Sequence, residues 1–124
     1  TDVRPLKDLL NLRSLSLSNN MIKSLIGLKE LISLTYLSLY SNKIKNIDGI
    51  EHLSELTYLS LSNNQIEDIS MLCGLSKLEM LFLESNKIEN IEPVKYLRNL
   101  NTLEIRLNRI SDFTALDGFR CLIG

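Results

Sequence analysis

A chain of 124 residues lies within the usual span of a single domain, and 44% hydrophobic with 23% charged residues is ordinary for a soluble protein. Its 14 basic and 15 acidic residues leave a formal net charge of −1, which excludes a global field that would gather nucleic acid or anionic membrane. No apolar run approaches a membrane span, no signal peptide is visible, and two cysteines, Cys73 and Cys121, are too few for a disulfide framework.

Val3 and Leu6 open a spacing that the rest of the chain repeats. From Leu9 a unit of 22 residues recurs, and each unit can be counted from its first leucine. In the first, Leu9, Leu12, Leu15, Leu17, Asn20, Ile22, Leu25 and Leu28 stand at positions 1, 4, 7, 9, 12, 14, 17 and 20. The second places Leu31, Leu34, Leu37, Leu39, Asn42, Ile44, Ile47 and Ile50 there, and the third Leu53, Leu56, Leu59, Leu61, Asn64, Ile66, Ile69 and Leu72. Leu75, Leu78, Leu81, Leu83, Asn86, Ile88, Ile91 and Val94 make the fourth. Leu97, Leu100, Leu103, Ile105, Asn108, Ile110, Phe113 and Leu116 make the fifth. No apolar place is broken, and neither is the Asn column.

The leucines at positions 7 and 9 alternate with period 2, so both point to one face of a short strand. One coil buries little alone, and successive coils must stack to close a continuous core. Their strands then pair in parallel about 4.8 Å apart, in a sheet roughly 24 Å wide. At position 12 the chain turns inward and leaves backbone groups unpaired, and Asn carries both a donor and an acceptor to meet them. Asn20, Asn42, Asn64, Asn86 and Asn108 are therefore expected to form a ladder. Little room remains on the far side of so short a coil, which predicts 3-10 turns or brief helical pieces there.

The pattern L-x-x-L-x-x-L-x-L-x-x-N-x-I resembles the leucine-rich-repeat family and runs from end to end of the chain. The resemblance implies an α/β solenoid: a right-handed horseshoe or arc with a parallel concave sheet and a 3-10 or short-helical convex side. One domain over 1–124 is expected, with repeats starting at 9, 31, 53, 75 and 97 and partial repeats at 1–8 and 119–124. Val3 and Leu6 fit the end of a preceding coil, and Phe119 and Leu122 the start of a following one. Terminal coils need caps with a polar outer face, and none is legible, so the chain reads as a fragment of a longer array.

Two branches of the family share this coil length. Ile44-Lys45-Asn46-Ile47-Asp48-Gly49-Ile50 and Leu25-Ile26-Gly27-Leu28 resemble the SDS22-like class of intracellular eukaryotic repeats. Ile66-Glu67-Asp68-Ile69-Ser70-Met71-Leu72, Ile88-Glu89-Asn90-Ile91-Glu92-Pro93-Val94 and Thr1-Asp2-Val3-Arg4-Pro5-Leu6 resemble bacterial internalins, whose coils close with Asp-Ile-Ser-Pro-Leu. The balance leans to the internalin-like side. That branch implies the cell surface or secretion, and the other the cytoplasm or nucleus.

Positions 6, 8 and 10 flank the buried leucines and are expected to point out from the concave face. Position 6 holds Ser14, Tyr36, Tyr58, Met80 and Thr102; position 8 holds Ser16, Ser38, Ser60, Phe82 and Glu104; position 10 holds Ser18, Tyr40, Ser62, Glu84 and Arg106. The first coil contributes only serine, the centre is aromatic and sulfur-bearing, and the last coils are charged. Aromatics and Met on a rigid surface supply large contact area at low entropic cost. Tyr36, Tyr40, Tyr58, Met80 and Phe82 are thus candidate partner contacts, with Glu84, Glu104 and Arg106 as a polar rim. Phe82 stands out, because its row-mates in every earlier coil are serine. A plainer account also fits: tyrosine favours strands, the L-T-Y-L-S-L repeat reflects duplication, and Glu84 with Arg106 forms a cross-strand pair.

The residues imply neither catalysis nor a cofactor. His52 and Cys73 fall in convex loops of adjacent coils, near enough for a dyad, but with no third orienting group and no pocket. Cys73 and Cys121 lie two coils apart, roughly 10 Å by strand spacing, beyond disulfide reach. Position 16 (Ser24, Asn46, Asp68, Asn90, Asp112) fits turn-stabilising side chains better than calcium ligands, because no second carboxylate column accompanies it. Zinc-ligand clusters and phosphate loops are absent. Lys23, Lys43, Lys45 and Arg109 are scattered among acids, which disfavours nucleic acid. The expected function is a protein-interaction module that takes another protein on its concave face, without membrane insertion; the alternative is a structural spacer with no ligand of its own.

Overall fold

Alternation at positions 6 to 8 produces one short strand per coil. The computed structural model describes residues 9–119, with β1 (Ser14–Ser16), β2 (Tyr36–Ser38), β3 (Tyr58–Ser60), β4 (Met80–Phe82) and β5 (Thr102–Glu104). The strands pair in parallel in sequence order, β1-β2-β3-β4-β5. Register carries no stagger: Tyr36 lies beside Tyr58, Tyr58 beside Met80, and Ser60 beside Phe82. Equal positions of successive coils therefore form straight rows. Backbone bonds extend the pairing past each strand, with the Leu17 N–H donating to Ser38 O at 2.9 Å and the Asn19 N–H to Tyr40 O at 2.8 Å.

The far side of each coil is a 3-10 turn, as its length requires: Ile26–Leu28, Ile50–His52, Ser70–Gly74, Glu92–Tyr96 and Thr114–Leu116. No helix among the described residues is long and apolar enough to cross a membrane. Position 16 caps the entry to each turn. Asn46 Oδ1 accepts the Asp48 N–H at 2.7 Å, Asp68 Oδ1 the Ser70 N–H at 2.8 Å, and Asn90 Oδ1 the Glu92 N–H at 2.9 Å. Ser24 and Asp112 do the same for Ile26 and Thr114. These bonds hold the Asp68 and Asp112 carboxyls below the usual carboxylate range. A depressed folded-state pKa stabilises the fold above the unfolded value and loses that contribution as pH falls through the folded one.

Gly49 opens its turn at φ 103°, a left-handed conformation that a side chain strains. A methyl there would also sit 3.3 Å from the Leu25 carbonyl oxygen. Gly49→Ala is expected to cost about 1 kcal/mol or more, read as a lower urea midpoint at unchanged slope.

The apolar columns form one core. Leu37, Leu39, Leu59, Leu61, Leu81 and Leu83 are wholly buried, as are Ile44, Ile66 and Ile88. Two column members depart from this. Leu9 is 48% exposed and Phe113 50% exposed, because a coil covers its own columns only where a neighbour stacks on it, and neither lies between two described coils. Leu12, Leu15, Leu17, Ile110 and Leu116 are partly buried for the same reason. Val3, Leu6, Cys121 and Leu122, which figure in the expected partial repeats and cysteine spacing, lie outside the described residues.

The asparagines do form a ladder, but not by bonding one another. Asn42 Nδ2 donates to Leu39 O of its own coil and Leu17 O of the coil before, both at 3.0 Å, while its Oδ1 accepts the Ile22 N–H at 3.0 Å. Asn64, Asn86 and Asn108 repeat this across the next three junctions. Among the described residues Asn20 reaches only its own coil, at Leu17 O and Ser18 O. Just before each of these residues the chain turns through left-handed φ, at Asn19, Ser41, Asn63, Ser85 and Leu107. Asn tolerates that region and a short Ser is a modest burden, whereas a left-handed Leu costs about 1–2 kcal/mol.

Candidate partner-binding face

The outward row positions hold every candidate contact, and the unstaggered register brings them together. Tyr36 and Tyr58 stack with ring centroids 4.4 Å apart and planes 12° from parallel. Phe82 joins from the next coil and the neighbouring row, 5.3 Å from the Tyr58 centroid and tilted 41°. The three rings make a continuous aromatic ridge across β2, β3 and β4. Met80 follows Tyr58 in its row, and Tyr40 stands apart, two residues past the end of β2.

This packing changes the expected exposure. Tyr36, Tyr40 and Met80 are exposed, whereas Tyr58 and Phe82 are half-buried against the ridge itself. Burial, then the charge of the neighbouring Tyr36 phenol, pushes the Tyr58 hydroxyl above the usual phenol range. Part of the aromatic area is thus spent on self-stacking, worth about 0.5–1.5 kcal/mol per pair beyond burial. Three members of the expected outward grid are covered: Ser38, Ser60 and Ser62 are 8%, 5% and 6% exposed. They stand at the outward positions that parity assigns, yet a short side chain with a paired strand on either side keeps little access to water. Ser38 finds a partner in Ser18, Oγ to Oγ at 2.8 Å.

At the far end of the face, Arg106 is gripped by two carboxylates. Its Nη2 donates to Glu84 Oε2 at 3.0 Å across the strands, and its Nε to Glu104 Oε2 at 3.3 Å. The bond to Glu84 and then the charge of Glu104 raise the guanidinium pKa further. The cross-strand pair expected between Glu84 and Arg106 is therefore present, with Glu104 added. Arg106 remains two-thirds exposed, so water and salt screen the cluster.

His52 and Cys73 are both exposed, and no hydrogen bond joins them. No group of His, Cys, Asp or Glu among the described residues is arranged to hold a metal ion. One residue escapes the row-by-row reading. Leu107 follows Arg106, is 76% exposed, and occupies the left-handed place that Asn or Ser takes in every earlier coil. The signal was available in the sequence as a column of Asn19, Ser41, Asn63, Ser85 and Leu107.

A family model described as Leucine Rich repeats (2 copies) matches residues 10–52, 32–75 and 54–96. The chain belongs to the leucine-rich-repeat family. Leucine-rich repeats are protein-interaction scaffolds, typically without enzymatic activity. Among solved leucine-rich-repeat structures, internalin C2 from Listeria monocytogenes is 36% identical with a TM-score of 0.95, over 98% of this chain and 54% of that one. An internalin (inlF) from the same organism is 28% identical with a TM-score of 0.56, over 99% and 50%. The APL1 leucine-rich-repeat domain is 25% identical with a TM-score of 0.82, over 90% and 31%. The chain thus spans about half the length of either internalin. None of the curated proteins compared matches it. The internalin-like resemblance is borne out, and nothing specific supports the SDS22-like one.

Proposed function

We propose that this leucine-rich-repeat chain takes a partner protein on the concave face of its sheet, with Tyr36, Tyr40, Tyr58, Met80 and Phe82 as contacts and Glu84, Glu104 and Arg106 as the rim. The observation that carries the reading is the aromatic ridge. Three rings from three coils line up on the solvent side of a rigid sheet, with an exposed Met80 next in the Tyr58 row and an exposed Tyr40 apart from them on the same side. A scaffold does not need such a surface for its own stability, because its core lies on the opposite side of the sheet. A preformed aromatic surface loses little entropy on binding, the property of interface hot spots. The likeness to internalin C2 supports the cell-surface or secreted setting of the two that the repeats suggest.

The test combines Tyr58→Ala and Phe82→Ala with charge reversal at Glu104 and Arg106, in protein whose circular dichroism and melting remain those of a folded solenoid. Immobilised parent and variant are compared for every protein retained from the host's extracellular fraction. Loss of the retained set, by tenfold or more, is the expected outcome. If the variant retains every partner of the parent, the chain is a spacer or binds elsewhere.

A further inference from the structure

We propose that the partner lays a short acidic segment along the edge of the face beside the first two coils, where Lys23, Lys43 and Lys45 follow the strand ends. This rests on the reading of the sheet face as a docking surface, and adds to it a second set of contacts and the charge of the partner.

Along the chain these cations alternate with acids, but the stacked coils sort them into rows. The N–H groups of Lys43 and Gln65 donate to Ile22 O and Ile44 O of the coil before, both at 2.9 Å. Those of Lys87 and Arg109 donate to Ile66 O and Ile88 O at 2.8 Å, so position 13 is a straight row. It is the first outward row past the turn that ends the strands, and it holds Lys43, Lys87 and Arg109 with no acid. Position 15 carries Lys23 and Lys45 in the first two coils, then Glu67 and Glu89 in the next two. Positions 16 and 18, farther round toward the convex turn, hold Asp48, Asp68, Glu92 and Asp112 and no cation. Charge thus runs from positive beside the face to negative on the convex side.

The first two coils hold this edge at its most positive. Lys23, Lys43 and Lys45 are exposed, and none forms an ion pair among the described residues. The outward places directly beside Lys43 hold Met21, Ser41, Gln65 and Lys45, none of them acidic. Lys45 shares a shallow hollow with Asp48, Glu67 and Asp68, which offset part of its charge. At the other end of the row Lys87 and Arg109 share a hollow with Glu67, Asp68 and Glu89, so the positive edge fades there. Positions 6, 8 and 10 of the first two coils carry serine and tyrosine alone, and nothing on that part of the face opposes an anion. A uniform polyanion that outgrew these coils would meet Glu67, Glu84 and Glu104. A protein segment can instead follow its carboxylates with a side chain that packs on the exposed Tyr36 and Tyr40. Cations at a rim steer such a partner and set its register.

A dodecapeptide library displayed on phage, panned against the chain, tests this. The enriched peptides are expected to be acidic and to carry Tyr, Phe, Trp or Leu beside their carboxylates. Synthetic copies should bind the triple variant Lys23→Glu, Lys43→Glu, Lys45→Glu at least about tenfold more weakly than the parent. The loss should appear mainly as slower association, and the remaining binding should depend less on salt. The neutral triple variant Lys23→Gln, Lys43→Gln, Lys45→Gln should lose less in the same direction and melt as the parent does. An enriched pool that is neutral or basic, no enrichment at all, or acidic peptides that bind both variants as tightly as the parent would each overturn the proposal. So would a heparin fragment that binds the parent more tightly than the peptides and is lost from the same variants, because the edge would then select polyanions. Tyr58→Ala with Phe82→Ala separates the two readings. Peptides lost from that variant but kept by the lysine variants leave the aromatic face standing without the basic edge. Peptides kept by it but lost from the lysine variants keep the edge and remove the aromatic face. Loss from both supports both.

Discussion

Asn64→Ala is expected to destabilise the fold by about 3–4 kcal/mol, far beyond the usual effect of truncating a polar side chain. Asn64 is 8% exposed and stitches two coils together. Its Oδ1 accepts the buried Ile44 N–H at 3.0 Å, and its Nδ2 donates to Leu39 O and Leu61 O at 3.0 Å and Ser62 O at 3.2 Å. Alanine removes all four bonds and leaves the backbone partners behind, in a place too enclosed for water to satisfy every one. Each stranded buried group costs about 1–3 kcal/mol, and partial rehydration lowers the sum. Asn20 provides the control. It is exposed and among the described residues bonds only Leu17 O and Ser18 O, so Asn20→Ala should cost less than about 1 kcal/mol. Urea unfolding measures both, and amide exchange at Ile44 should accelerate in the Asn64 variant alone. Equal losses at the two positions would show that the bridge between coils contributes nothing beyond the local turn.

The contrast also marks what periodicity conveys. The 22-residue period determines which residues share a row, and with it the unstaggered register and the identity of the core columns, because both follow from where the chain must return. It places Asn42, Asn64, Asn86 and Asn108 at the inward turn, but their partners lie in the preceding coil, and only the stacking geometry identifies them. Parity of the strand positions was enough to put Ser38, Ser60 and Ser62 on the outer face. It was not enough to say that they are covered, since that depends on how closely neighbouring side chains pack around a short one. The same limit applies to Tyr58 and Phe82, whose mutual packing is set by rotamers across two rows. Leu9 and Phe113 carry the residue types of their columns, yet burial is a property of neighbouring coils and not of the column. Of the candidate site, then, the rows and their chemistry were legible, and the ridge, the three-membered charge cluster and the strained Leu107 were not drawn from them.

Leu59→Ala sets the scale for the core and tests how coils share stability. Leu59 is wholly buried at the middle of β3, with Leu37 and Leu81 beside it in register. Truncation removes the transfer free energy of three carbons and opens a cavity between two packed coils, about 3–4 kcal/mol together. Leu15, at the equivalent place in β1, is only partly buried and has a described strand on one side alone, so Leu15→Ala should cost about 1–2 kcal/mol. In a stack where each repeat touches only its neighbours, stability is a sum of repeat and interface contributions. The Leu59 cavity weakens two interfaces at once and interrupts the array at its centre. Its unfolding transition should therefore broaden as well as shift, with amides of the coils on either side exchanging at different rates. A sharp, merely shifted transition with uniform exchange would mean that the five coils fold as one indivisible unit, and the interface sum would have to be abandoned for this chain.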